Sequence, residues 1–138
     1  MSLRYVETSA LVGALLERDA EAQLALRASG RRVTSALTFA EAARAVIRAR
    51  ATGRLSDAQE RAAVRALHVF ERRIDVVGVT DAILQRVRRR FPIEPVRTLD
   101  AVHLATADVI AESPQLITII TRDERVSANA RGLGHPVE

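Results

Sequence analysis

Four acidic residues stand at points of the sequence where predicted strands end or predicted helices begin. Glu7 follows a short run of strand-forming residues, and Glu41, Asp100 and Asp123 lie at strand-to-helix turns or in the first turn of a helix. In an open α/β sheet, ligands bind at the edge formed by the carboxyl ends of the strands. We therefore expect the four carboxylates to converge at that edge.

A cluster of carboxylates favours a bound cation. Neighbouring carboxylates repel each other and raise each other's pKa, and a cation relieves that repulsion. The chain has no Cys, and its three His are scattered, so the available ligands are hard oxygens. Such ligands suit Mg²⁺ or Mn²⁺ rather than Zn²⁺. A site of this kind activates water and stabilises the departing oxygen of a phosphate ester.

Each acid also has a purely structural interpretation. Thr38 and Glu41 match a capping box, in which the carboxylate only bonds back to the helix start. The helix macrodipole favours Asp100 in a first turn, and Glu7 simply ends a strand. Asp123 is a candidate N-cap, with a capping box of Thr121 and Glu124 as its competitor. For Glu7 this interpretation is weaker, since a carboxylate between buried residues needs a partner.

Hydroxyl, basic and imidazole side chains near these acids are secondary candidates. Hydroxyls bind metal waters or carboxylates, but each is also a helix cap, and Thr8 or Ser9 is the predicted N-cap of the first helix. His103 shares a helix face with Asp100, and we interpret it as a packed structural residue. Thr121 is a further hydroxyl candidate of this kind, and Arg122 and Arg125 are candidates for phosphate contact or charge balance.

The scaffold that positions the acids alternates strands with helices. This alternation predicts an α/β fold with one parallel sheet covered by helices on both faces. The strand formers Leu3, Tyr5 and Val6 open the sheet, and further strands are predicted at 32–35, 74–79, 116–121 and 136–137. Helices are predicted near 9–18, 19–29, 38–52, 56–73, 80–90, 98–112 and 123–131, and Ser56 with Asp57 is the predicted cap of the fourth.

Length and composition narrow the class of protein. The 138 residues suit a single domain over 1–138, and all 21 basic residues are Arg, with a net charge of +4. Without Lys, Schiff-base chemistry and phosphate-binding-loop sites are excluded. The planar guanidinium group of arginine can bind two phosphate oxygens. Aromatic residues make up only 3% of the chain, too few to form a surface on which nucleic-acid bases stack. The lack of Cys and of long apolar runs leads us to expect a cytoplasmic protein.

Four segments resemble the motifs of PIN-domain proteins, in particular the VapC ribonuclease toxins of toxin–antitoxin pairs. They are YVETSALV (5–12), TFAE (38–41), RTLDAVHLATA (97–107) and TRD (121–123), and the third is the most specific. The resemblance implies a three-layer PIN-like fold with a five-stranded parallel sheet. It implies Mg²⁺- or Mn²⁺-dependent endonucleolytic cleavage of RNA, commonly tRNA or rRNA, leaving 5′-phosphate and 3′-hydroxyl ends.

The same resemblance implies the ligands and the partners. Glu7, Asp100 and Asp123 are the expected metal ligands, direct or through water, and Glu41 assists them. The attacking species is then a water, so no side-chain nucleophile is needed. A cognate VapB-like antitoxin is expected to inhibit the enzyme by laying a C-terminal segment over the groove, and homodimers are usual.

One position departs from the family pattern and keeps other functions open. The first acid is almost always Asp in this family, and here it is Glu7. One extra methylene moves the carboxylate by roughly 1 Å, comparable with the placement tolerance of a catalytic group. A catalytically weak PIN module that binds RNA or a protein is therefore one alternative. A receiver-like signalling domain is another, although the missing Lys argues against it.

Overall fold

The sheet contains four parallel strands. The structure is a computed structural model that describes residues 3–138. Its strands are β1 (Leu3–Val6), β2 (Arg31–Ser35), β3 (Asp75–Val77) and β4 (Ile117–Ile120). Their order is β3-β2-β1-β4, with Tyr5 of β1 opposite Val33 on one side and Ile119 on the other. The carboxyl end of β1 therefore lies between those of β2 and β4, and Glu7 follows directly after it.

Seven helices of the described region connect and cover the strands. They are α1 (Thr8–Leu16), α2 (Ala20–Arg27), α3 (Ala36–Ala51), α4 (Asp57–Glu71), α5 (Asp81–Val87), α6 (Thr98–Ile110) and α7 (Glu124–Gly132), with a 3₁₀ turn at Pro114–Leu116. Two helices precede each of β2, β3 and β4. The alternation predicted from the sequence, and with it the α/β class and the parallel sheet, is confirmed.

The predicted fifth strand is reduced to one bridge. Val137 pairs in parallel with Ile119, on the side of β4 away from β1. The Ile119 N–H bonds to the Pro136 carbonyl, and the Glu138 N–H bonds to the Ile119 carbonyl. Proline has no N–H to donate, so residue 136 contributes only its carbonyl, and a single bridge is formed.

The two faces of the sheet hold separate apolar clusters. Successive side chains of a strand point to opposite faces. Tyr5 accordingly packs with α5, α6 and α7 residues, whereas Val6 packs with residues of α1 to α4. Both side chains are fully buried. The phenol of Tyr5 is thereby directed to the layer that contains α6.

Several helix starts differ from the sequence-based prediction. The N-cap of α1 is Glu7 rather than Thr8 or Ser9, and α3 begins after Ser35, before the predicted Thr38. The predicted caps Ser56 and Asp123 are confirmed. No helix within residues 3–138 is both long and apolar enough to cross a membrane.

Candidate active site

Glu7 combines a structural role with its predicted place at the sheet edge. One carboxylate oxygen accepts hydrogen bonds from the hydroxyls of Ser9 and Thr121, at 2.5 Å in each case. The other accepts the Ser9 backbone N–H at 3.1 Å, which caps α1. The residue is 4% exposed. These donors satisfy the buried charge, as a carboxylate at this depth requires.

Glu41 is held by side chains of two other elements and not by its own helix start. Its Oε1 accepts the Thr8 hydroxyl at 2.6 Å and lies 2.5 Å from Nε2 of His103. Burial raises the pKa of the Glu41 carboxyl, but the hydrogen bonds from His103 and Thr8 outweigh it, so the pKa is below its ordinary value. The capping-box interpretation with Thr38 is wrong, because Ser35 caps α3 and the Thr38 hydroxyl pairs with Thr34.

Asp123 caps α7 and is joined to Glu7 through one hydroxyl. Its Oδ1 accepts the backbone N–H groups of Arg125 and Val126. Its own N–H donates to the Thr121 hydroxyl at 3.0 Å, which in turn donates to Glu7. The competing capping box is therefore wrong, since the Thr121 hydroxyl accepts the N–H of Asp123 rather than that of Glu124, and the Asp123 side chain caps α7. Oδ2 of Asp123 is left for a cation.

Asp100 and Asp123 share one guanidinium group. Arg97, the N-cap residue of α6, donates from Nε to Asp100 Oδ2 at 3.2 Å. Its Nη2 lies 3.9 Å from Oδ2 of Asp123. The arginine side chain is 76% exposed, while those of the two aspartates are 15% and 27% exposed. An exposed cation thus lies between two carboxylates that belong to different helices.

The donor chemistry fits a hard divalent cation in an open site. Within residues 3–138, no group of three or more acidic or imidazole side chains is arranged to hold one metal ion. Mg²⁺ commonly keeps several waters and binds through one or two carboxylates together with substrate phosphates. The guanidinium between Asp100 and Asp123 marks the point where positive charge is already stabilised. Glu7 is adjacent through Thr121.

A cavity of about 710 Å³ opens beside these residues. Its lining includes Glu7 and Glu41 but neither Asp100 nor Asp123, and Asp123 lines a second cavity that shares Arg122 with the first. Arg122 forms one wall, where it pairs with Asp19 at 2.6 Å and Glu21 at 3.1 Å. The charge-balancing interpretation of Arg122 is therefore the one that the contacts support. The other basic residues of the lining are Arg44 and Arg48.

Sequence reasoning missed two residues of this arrangement. The motif that contains Arg97 indicates no role for it, although an arginine three residues before Asp100 is within reach of that carboxylate. The sequence pattern identifies Tyr5 only as a strand former, yet its hydroxyl lies 2.7 Å from Nδ1 of His103. The available signal was His103 itself, because a polar residue inside the apolar run of α6 needs buried partners.

The sequence was compared with known protein families and their members. The model of the PIN domain matches residues 4–132. Ribonuclease VapC35 of Mycobacterium tuberculosis is 33% identical over 133 residues, covering 94% of this chain and 90% of the relative. Ribonuclease VapC46 of the same species is 33% identical over 139 residues, covering 99% and 97%.

Solved structures share the fold at lower sequence identity. A toxin-antitoxin complex from Klebsiella pneumoniae contains a chain with a TM-score of 0.62 and 22% identity, covering 100% of this chain and 96% of that one. VapBC2 from Rickettsia felis, bound to a DNA fragment from its promoter, matches with a TM-score of 0.64 and 12% identity, covering 99% and 97%. The predicted architecture is thus one that experimental structures contain.

Proposed function

Because the chain belongs to the PIN-domain family, as a VapC-like ribonuclease toxin of a toxin–antitoxin pair, we propose that it binds Mg²⁺ or Mn²⁺ through Glu7, Asp100 and Asp123. Glu41 assists these three ligands. The observation that carries this proposal is the Arg97 guanidinium between Asp100 and Asp123. Two carboxylates that share one cation in this way can exchange it for a metal ion and its waters.

Glu41 and Thr121 have different roles in the proposed reaction. When bound, the cation supplies the charge that activates a water and stabilises the departing ester oxygen. Glu41 accepts no hydrogen bond at Oε2 from any residue in 3–138, so that oxygen orients the attacking water. Thr121 holds Glu7 and the Asp123 backbone in one arrangement. The products are a 5′-phosphate and a 3′-hydroxyl.

The RNA backbone follows the arginine-bearing wall of the cavity. Arg44 and Arg48 are exposed, lie one turn apart on α3, and form no ion pair with any residue in 3–138. Arginine suits phosphate because its planar fork binds two oxygens. We propose tRNA or rRNA as the substrate class.

The antitoxin partner occupies the same cavity. Apolar side chains at Val12, Leu37 and Leu99 share its lining with the charged residues, so a peptide segment finds both kinds of contact there.

We also propose that two copies of the chain form a homodimer. Sedimentation showing only monomer at tens of micromolar, on the order of cellular association strengths, would count against the dimer.

The rival function is a module that binds RNA without cleaving it. Its support is Glu7, whose two carboxylate oxygens already accept three hydrogen bonds from the protein. In this rival function, the Glu7 carboxylate is used only for structure and binds no metal. Cleavage of RNA by the purified protein on addition of Mg²⁺ or Mn²⁺ excludes this rival.

The direct test of the proposal is Asp100→Ala. Among residues 3–138, the Asp100 side chain forms a hydrogen bond only with the exposed Arg97, so its removal should leave the fold intact. Because a proposed metal ligand is lost, metal-dependent RNA cleavage should be abolished. Asp81→Ala is the matched control, because Asp81 also lies in the first turn of a helix and is exposed. Near-wild-type cleavage by a folded Asp100→Ala protein would contradict the assignment.

A further inference from the structure

His103 is a fully buried polar residue that the proposed chemistry does not use. It is 1% exposed, and its neighbours Ala101 to Ala107 on α6 are all buried. Nδ1 lies 2.7 Å from the Tyr5 hydroxyl, and Nε2 lies 2.5 Å from Glu41 Oε1 and 3.1 Å from the Thr8 hydroxyl. A chain of contacts therefore runs from the strand β1, through the interior, to a carboxylate of the cavity.

The contacts determine where the imidazole proton lies. Glu41 has its pKa below the ordinary value and is ionised at neutral pH, so it only accepts hydrogen bonds. Nε2 of His103 must then carry a proton to be 2.5 Å from that carboxylate. The Tyr5 phenol carries a proton that it can donate, since the ordinary pKa of a phenol is about 10. Nδ1 of His103, 2.7 Å from that hydroxyl, is then the acceptor of the phenol proton.

This pattern orients Glu41 at one of its two oxygens. Oε1 receives the Nε2–H of His103 and the Thr8 hydroxyl, and both donors are buried. Oε2 receives no hydrogen bond from the described residues, and Glu41 lines the cavity. A carboxylate held by hydrogen bonds at only one of its oxygens keeps one orientation, while its second oxygen stays available to a ligand.

We propose that Tyr5 and His103 are positioning residues: the phenol holds the imidazole in its Nε2-protonated tautomer, and the imidazole fixes Glu41 for catalysis. This inference rests on the proposed ribonuclease function. Supporting groups of this kind act by orienting the residue that meets the ligand, and their loss typically costs about 10–100-fold in activity. A histidine that only packs needs no particular tautomer and no carboxylate.

The kinetic test uses two substitutions of His103 with different chemistry. Leu removes the donor at similar volume, and Gln places an N–H near the position of Nε2. We expect His103→Leu to lower kcat about 10–100-fold with KM unchanged, and His103→Gln to recover most of that loss. Rates are compared per folded protein, with the folded fraction taken from circular dichroism. Equal losses of kcat in both variants would overturn the proposal.

A double-mutant cycle tests whether His103 acts through Glu41. In the Glu41→Gln background, His103→Leu should cause no further loss of kcat, because the carboxylate that it orients is gone. An undiminished second loss would show that His103 acts by another route, and the proposal would fail. This measurement also separates a positioning role from general destabilisation, which would lower activity in both backgrounds.

A spectroscopic test needs neither metal nor RNA, so it can fail independently of the ribonuclease assignment. Nitrogen NMR of the metal-free protein should find His103 as one tautomer, protonated at Nε2 and unprotonated at Nδ1. The signal is assigned by its loss in His103→Gln. Tyr5→Phe should shift the Nδ1 resonance, because that nitrogen loses its hydrogen-bond donor. A proton on Nδ1 in the wild type, or an unchanged spectrum in Tyr5→Phe, would overturn the inference.

Discussion

Replacement of Glu7 by Gln separates the two roles of this side chain. The amide keeps the shape of the carboxylate and still accepts the Ser9 N–H that caps α1. It loses the charge that attracts a cation, and its NH₂ group takes the place of the oxygen that accepts the hydroxyls of both Ser9 and Thr121. We therefore expect a folded protein that is slightly less stable and no longer binds the metal.

The size of the stability loss follows from the hydrogen bonds. Bonds to charged groups contribute roughly 1.5–3 kcal/mol and neutral ones roughly 0.5–1.5 kcal/mol, so neutralising the acceptor of two hydroxyls costs about 2 kcal/mol. An unfolding entropy of about 2.1 cal/mol/K per residue over 138 residues converts 1 kcal/mol into roughly 3–4 °C. Without metal, Glu7→Gln should melt about 6–8 °C below the wild type.

The metal-induced shift in Tm decides the role of Glu7. A metal present at 100 times its Kd stabilises the folded state by about 2.7 kcal/mol, or roughly 9 °C for the wild type. Glu7→Gln should show almost none of this shift at the same Mg²⁺ or Mn²⁺ concentration. Glu17→Gln is the control, because Glu17 lines the same cavity and is exposed. Equal shifts in Glu7→Gln and wild type would refute the reasoning and favour a purely structural Glu7.

Two further predictions concern the cavity wall and the phenol. Arg44→Gln and Arg48→Gln should each reduce the salt dependence of RNA binding by about 0.7 in the log–log slope. Arg61→Gln is the control, because Arg61 is an exposed arginine of α4 outside the cavity lining; slopes equal to that of the control would exclude phosphate contacts. The single Tyr5 has its pKa raised above 10.0, so stability is intact below that pH and lost as pH rises beyond it. Tyrosinate absorbance should then appear only as circular dichroism is lost, and titration near pH 10.0 in folded protein would contradict this.

The parts of the site that were predictable are those fixed by local sequence. Ser56 and Asp123 were identified as caps because a cap acts within three residues of its own chain. The strand-to-helix junctions at Glu7 and Asp123 followed from the change of apolar period. Local reasoning failed for Glu41, since the helix starts at Ser35, one turn earlier than the Thr38 motif indicated.

The remainder depends on contacts between distant segments. Tyr5 and His103 are 98 positions apart, and Thr121 and Glu7 are 114 apart, so no spacing rule links them. The alternation of β1 predicts that Tyr5 faces away from Val6, but not which helix lies opposite. The sharing of Arg97 by two aspartates likewise required α6 and α7 to meet at the sheet edge.

The unequal anchoring of the acids has a genetic consequence. Glu7 and Asp123 each cap a helix, whereas the side-chain hydrogen bond of Asp100 within residues 3–138 is to an exposed arginine. Substitutions at the two capping residues should remove activity and lower stability together, so they should also reduce the amount of protein in a cell. Cells can be selected for survival while they express the toxin without its antitoxin. Surviving mutants with a substitution at Asp100 should accumulate full-length protein to normal levels. They would still sequester the antitoxin and so behave as dominant variants beside an active copy.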